Sequence, residues 1–505
     1  MNKETGILMP VASLPNRFGS GDFGPDAYRF ADDVAKAGFS IWQILPLNPL
    51  GYGSSPYQPF SSYAMDEIYI SLDLLADEGL IKRCGNFNKK ASVIDYGAIR
   101  AYRTGLLREA FHNYKEDDEA AAFEAERPWL ESYAIFRAFK EKFEQKPWTS
   151  WPKEFRDYPL YNADEQSWKD WPEEYRDYPV NEKPDLSLFE EEIRYQKFLQ
   201  LYAFKQWKHL KEYANRKGVK IMGDIPFYVG HDSEDCWAGR PNFLLTKDGD
   251  PRFIAGVPPD YFSATGQRWG NPIYDWNYME EDGFTFWLNR IAYNSKLFDI
   301  IRLDHFRAFD TYWKVPASCP TAIEGEWIEA PGDAFFNTLL KELPEIILIA
   351  EDLGDLRPEV YELRDKYDFA GMHILEFEFS PEGDNTQGTH SLTYTGTHDN
   401  EPIRSWIGSM TPRDRRRMRK WLRANGYEDR DICRSFLCYT LNSDSEIVII
   451  PISDWLHKGV EGRLNQPGTV GSPNWEWRMK SFREFEHKIP MIRRMIRKSG
   501  RRKKN

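Results

Sequence analysis

Three acidic residues stand where a short apolar run gives way to a loop: Asp304 after FDIIRL, Glu351 at the end of EIILIAE, and Asp399 after SLTYTGTH. A carboxylate left at the end of a buried strand costs free energy unless it is paired or used. The ends of the other runs add Asp224 from VKIMGDI, Arg302 two residues before Asp304, and His398 beside Asp399. Tyr52, Ser55 and Tyr57 follow a further run, in GYGSSPYQPFSSY. Two carboxyl groups about 5–5.5 Å apart can cleave an acetal with retention, one attacking carbon while the other donates and then recovers a proton. Arg302 and Asp304 share a face of a strand, and the guanidinium favours an ionised Asp304 as the attacker. Glu351 closes a run of Ile, Leu and Ala, an apolar setting expected to raise its pKa and suit a proton donor. Asp399, with His398, is placed to hold sugar hydroxyls. Aromatic residues make up 15% of the chain, and several sit in Gly/Pro-rich loops, where a flat ring with a polar edge suits stacking on a sugar.

Other uses of these residues compete with that chemistry. A lone Asp after a strand commonly caps the next helix, but three of them with an arginine in phase are harder to explain so. Asp224, Asp304, Glu351, Asp352 and Asp399 would also make an oxygen-rich Mg2+ site, although Arg302 would compete with the cation. No metal or other cofactor is expected, and nothing matches a phosphate-binding glycine loop. The five cysteines, Cys84, Cys236, Cys319, Cys433 and Cys438, are scattered without a CxxC pair and read as ordinary thiols. A net charge of -12 argues against nucleic acid as a partner. No window holds the roughly 20 apolar residues of a membrane span, and MNKETGILMPVASL lacks the pattern of a secretory leader. A cytoplasmic protein with no membrane contact and no obligate protein partner is expected.

Positioning these groups requires parallel strands. Eight apolar, β-branched runs recur at 6–14, 39–47, 219–225, 298–303, 345–351, 371–377, 391–397 and 446–452, with amphipathic helical stretches between them. Continuous rather than alternating apolar runs mark strands covered on both faces. Eight such units predict an α/β fold, a (β/α)8 TIM barrel with large, mainly helical insertions, in preference to a doubly wound open sheet. In such a barrel the C-terminal strand ends form the active site. We expect one catalytic barrel over 1–490, an insertion over about 70–215, and a basic, solvated tail at 491–505. Within the insertion, WPKEFRDYP (151–159) is nearly repeated as WPEEYRDYP (171–179), which reads as paired surface turns.

The motifs GYGSSPYQPFS, KIMGDIPFYV, GVPPDYFSATGQRWGNPIYDW, IRLDHFR, IAEDLG, THDNEP and NQPGTVGSPNWEWR occur in order along nearly the whole chain. In them the sequence resembles the 4-alpha-glucanotransferases, also called amylomaltases or disproportionating enzymes. The resemblance implies a (β/α)8 barrel that moves alpha-1,4-glucan segments between maltooligosaccharides by double displacement. It implies Asp304 as nucleophile, Glu351 as acid/base and Asp399 as the residue holding the 2- and 3-hydroxyls. Arg302, His398, Asp224 and Tyr57 match residues around the same sugar, and Trp269 and Asp260 match a loop, about 256–276, that closes over the acceptor. An alpha-glucan hydrolase of the alpha-amylase type is the alternative, since water can also resolve a glucosyl-enzyme. The chain departs from the family pattern twice: GYGSSPYQ carries Ser54 in place of an acid, and AMDEIY (64–69) stands where a GNP segment is usual.

Overall fold

The computed structural model describes residues 3–88, 91–158, 184–259, 263–383 and 385–501. Seven of the eight apolar runs contain, and the first overlaps, one strand of a single parallel sheet: Glu4–Leu8, Ile41–Gln43, Lys220–Ile225, Ile300–Leu303, Leu348–Ala350, Gly371–Ile374, Ser391–Tyr394 and Ile447–Pro451. The strands pair in chain order, and the first also pairs with the eighth, Gly6 lying between Ile41 and Ile449. The ring closes between the fifth and sixth strands, where Ile349 bridges Ala370 and the Ala350 N–H donates to the Ala370 carbonyl at 2.9 Å. This is a barrel and not an open sheet. Its strands are almost wholly buried, as continuous apolar runs require. In the third strand Gly223 has no alternative, because a β-carbon there would lie 2.2 Å from the Phe298 ring.

Between the second and third strands the chain forms the helices Tyr96–Asn113, Trp129–Lys142 and Glu190–Arg216. The last begins with Glu190, Glu191 and Glu192, which suit the positive end of a helix, and buries an aromatic-rich face. The first copy of the repeated segment is not a surface turn. Trp151 and Asp157 are buried, and Asp157 accepts two bonds at 3.1 Å from the buried Arg240. Pairing with a residue more than 80 positions away is invisible in a local repeat. The second copy lies outside the described residues.

Two further features depart from the sequence reading. The strands Phe253–Val257 and Gln267–Pro272, which overlap the predicted loop at 256–276, belong to a four-stranded antiparallel sheet in the order Gln267–Pro272, Phe253–Val257, Thr311–Pro316, Glu326–Glu329. Its strands are short and partly exposed, so they lack a clear two-residue alternation. The C-terminal stretch is a helix, Ile489–Lys498, rather than a solvated tail, because Ile492 and Ile496 fall on one face and bury it. Arg501 beyond it is 2% exposed and bonds the carbonyls of Leu441 (2.6 Å), Ser443 (2.6 Å), Ser445 (2.8 Å) and Glu4 (3.2 Å). It thereby ties the first strand to the segment that enters the eighth. Among the described residues, no helix is long and apolar enough to cross a membrane.

Candidate active site

The C-terminal strand ends open into a cleft of about 1190 Å³, larger than the roughly 300–1,000 Å³ of ordinary small-molecule pockets. Asp304, Glu351 and Asp399 all line it, as do Tyr52, Ser55, Tyr57, Trp269 and His398. Asp224 and Arg302 form its floor, both 2% exposed. Asp260 lies outside the described residues.

Arg302 organises the floor. Its Nη1 donates to both Asp224 oxygens at 2.7 Å and to Asp304 Oδ1 at 3.0 Å, and its Nη2 lies 3.1 Å from Glu351 Oε2. One guanidinium therefore binds three carboxylates from three adjacent strands, and they hold it firmly protonated despite its burial. The cation that neutralises this acidic cluster is Arg302. The fourth member of the metal set considered above, Asp352, turns away to the Met372 N–H at 2.7 Å and to Arg364.

The proton affinity of Asp304 departs from the sequence reading. Burial, and then the neighbouring Glu351 carboxylate, push Asp304 well above the usual carboxylate range, against the pull of Arg302. Glu351 Oε2 receives, besides Arg302, the His305 N–H at 2.5 Å. His305 can aim that N–H because its backbone is left-handed, with φ of 50°. Its ring is kept neutral by burial, which drops its pKa to about 3. The expectation that Arg302 keeps Asp304 ionised is thus opposed in the free site by burial and by the Glu351 carboxylate. The sequence placed Arg302 in phase with Asp304 but gave no sign that Glu351 binds the same guanidinium.

Around this core Tyr57 donates to Asp224 Oδ2 at 2.8 Å and stacks on His398, with centroids 5.0 Å apart and planes at 15°. Burial, then Asp224, keep the Tyr57 hydroxyl protonated. Trp475 closes the group at 5.6 Å from Tyr57 and 5.8 Å from His398. On the opposite wall Trp269 meets the His305 ring edge-on at 4.9 Å, and its carbonyl accepts from Gln58 at 3.2 Å. Tyr52 stands at the rim, 73% exposed. Asp399 Oδ1 accepts from Asn465 Nδ2 at 2.6 Å, its Oδ2 lies 3.5 Å from His398 Nε2, and Arg463 bonds its carbonyl at 3.0 Å.

Asn465, Arg463, Trp475 and Glu376 were not anticipated as site residues. The first three flank or fall in NQPGTVGSPNWEWR, whose Gly/Pro-rich, aromatic composition matches the other cleft loops and was the available signal. Glu376 follows the sixth strand and lines the cleft; burial, with Asp454 and Glu401 nearby, raises it to about 8.

A closed eight-stranded barrel with carboxylates converging on one arginine, walled by aromatic rings, defines an enzyme built for glycosidic bonds. A family model described as 4-alpha-glucanotransferase matches residues 9–165 and 158–484. The 4-alpha-glucanotransferase of Thermus thermophilus is 38% identical over 491 residues, 94% of each chain, and that of Clostridium butyricum 38% identical over 96% of this chain and 99% of its own. Among solved structures, the amylomaltase of Streptococcus agalactiae in complex with acarbose superposes with a TM-score of 0.90 at 34% identity, over 99% of this chain and 100% of the other. The chain belongs to the 4-alpha-glucanotransferase family.

Proposed function

We propose that this enzyme transfers alpha-1,4-glucan segments between maltooligosaccharides by two displacements at one anomeric carbon. A carboxylate oxygen of Asp304 attacks that carbon as its bond to the departing O4 breaks, and the carboxyl group of Glu351 gives its proton to the leaving oxygen. The 4-hydroxyl of an acceptor glucan then attacks the glucosyl–Asp304 ester, returning its proton to Glu351 and freeing Asp304. Asp399 takes the 2- and 3-hydroxyls of the transferred sugar, steadied by Asn465. The observation that supports this reading is the single guanidinium shared by Asp224, Asp304 and Glu351, which aligns attacker and proton carrier without an added cation. The paired strands Phe253–Val257 and Gln267–Pro272, with Trp269, form the acceptor-side wall and limit water. We place the protein in the cytoplasm, acting on alpha-1,4-glucans.

Incubation with maltotriose tests the reading. Transfer yields glucose with a ladder of longer maltodextrins at a constant number of reducing ends. Reducing ends that rise in step with substrate consumed would make the enzyme a hydrolase. Persistent disproportionation in Asp304→Asn would remove that residue from the role of nucleophile.

A further inference from the structure

The loop at 50–63 carries Tyr52, Ser55, Tyr57 and Gln58 into the cleft, and both of its ends are held by buried carboxylates. At the far end the Ser62 N–H donates to Asp235 Oδ2 at 2.8 Å, and the Phe60 carbonyl accepts the Glu234 N–H at 2.7 Å. At the near end the Leu50 N–H donates to Asp66 Oδ2 at 2.8 Å. Asp66 is fully buried, and its other oxygen accepts the Ile68 N–H at 2.9 Å. The oxygen that holds Leu50 also accepts Arg100 Nη2 at 2.5 Å, while Arg100 Nη1 bonds Glu67. Arg100 comes from the helix Tyr96–Asn113 of the insertion.

Asp66 and Glu67 fall in AMDEIY, the segment where this chain departs from the GNP of the family pattern. A proline there would fix its own backbone angle without help. This chain has two adjacent acids instead, Asp66 fully buried and Glu67 partly so, and such charges need a cation beside them. Burial pushes Glu67 up, but Arg100 and then Arg137 outweigh it and hold it at about 2. The acids are therefore useful only with the arginine in place.

We propose that Asp66, Arg100 and Glu67 form a positioning device for the glucan-contacting loop, so that substrate affinity in this enzyme is set from the insertion. The proposal rests on the reading that Tyr52, Ser55 and Tyr57 contact glucan. None of the three residues meets the sugar. They act by fixing where Leu50 begins its turn.

The test is Arg100→Gln in the full chain, assayed on maltotriose and on longer maltodextrins. Losing one charged hydrogen-bond anchor raises KM about tenfold. The value of kcat stays within about twofold, because the displacement itself is untouched. Adding Met65→Gly, Asp66→Asn and Glu67→Pro, which installs GNP, restores KM in the Arg100→Gln background. Glu67 is the first residue of the turn Glu67–Tyr69, a position that accepts proline. Should Arg100→Gln not fold, Arg100→Lys keeps the charge but not the two-pronged grip and gives an intermediate KM. A wild-type KM in either folded variant, even with a lowered Tm, would make the triad a brace only and overturn the proposal, as would a raised KM that GNP does not rescue. A wild-type protein that makes no maltodextrin ladder would instead defeat the functional reading, so the two failures are separable.

Discussion

Arg302→Lys tests the organisation of the site most directly. Lysine keeps the positive charge but offers one point of contact, where the guanidinium offers a rigid fork. In the native site Asp224 takes the closest grip, two bonds at 2.7 Å, while Asp304 and Glu351 are reached at 3.0 and 3.1 Å. An ammonium drawn to Asp224 abandons the other two. A hydrogen bond to a charged partner contributes about 1.5–3 kcal/mol, so losing both costs about 3–6 kcal/mol where charge develops. At about 1.36 kcal/mol per decade, kcat/KM for maltotriose should fall by about 10² to 10⁴. The assay is the initial rate of glucose release during disproportionation, with near-ultraviolet circular dichroism and Tm confirming an intact fold. A folded Arg302→Lys enzyme within about tenfold of wild type would show that the shared guanidinium does not organise the reaction.

Two further substitutions probe groups outside the chemistry. Asp454 is buried between the Thr395 hydroxyl at 2.6 Å and the Ile403 N–H at 2.8 Å, and burial raises it to about 7. The folded protein therefore binds this proton more tightly than the unfolded chain, so its stabilisation is full below about pH 4 and is lost as pH rises to about 7. Asp454→Asn should flatten the decline of Tm between pH 4 and pH 7, and parallel profiles for the two proteins would contradict the assignment. Arg501→Ala removes three bonds of 2.8 Å or shorter to buried carbonyls. Partly offset by the charge it frees from burial, the loss of about 3 kcal/mol should lower Tm by about 3 °C in a chain of this length, with kcat unchanged. Calorimetry showing no shift would mean that water replaces the guanidinium without cost.

The barrel was legible because its strands are buried on both faces and so write themselves as continuous apolar runs. The carboxylates were legible for the same reason: Asp304, Glu351 and Asp399 interrupt those runs at the one place where a polar group is useful. What the sequence did not disclose depends on distant partners. The raised proton affinity of Asp304 follows from its burial and from the Glu351 carboxylate beside it, and the support of Asp399 follows from Asn465, 66 residues on. The antiparallel sheet was hidden because Glu326–Glu329 exposes residues on both faces. The C-terminal helix was masked by its charge, although the spacing of Ile492 and Ile496 carries the signal.

The anchoring of the loop at 50–63 ties the heat tolerance of catalysis to a part of the molecule outside the barrel. Besides Arg100, the insertion supplies Gln200, whose amide bonds both the N–H and the carbonyl of Met65 at 2.8 and 2.9 Å across 135 residues of sequence. Local opening free energies differ across a structure, so the insertion and the closed barrel need not open together. Where the insertion melts first, the active site loses its shape while the barrel remains folded. Stabilising this enzyme for work at high temperature means reinforcing the seams between the loop and the helices at 96–113 and 190–216, rather than the strands that carry the acids.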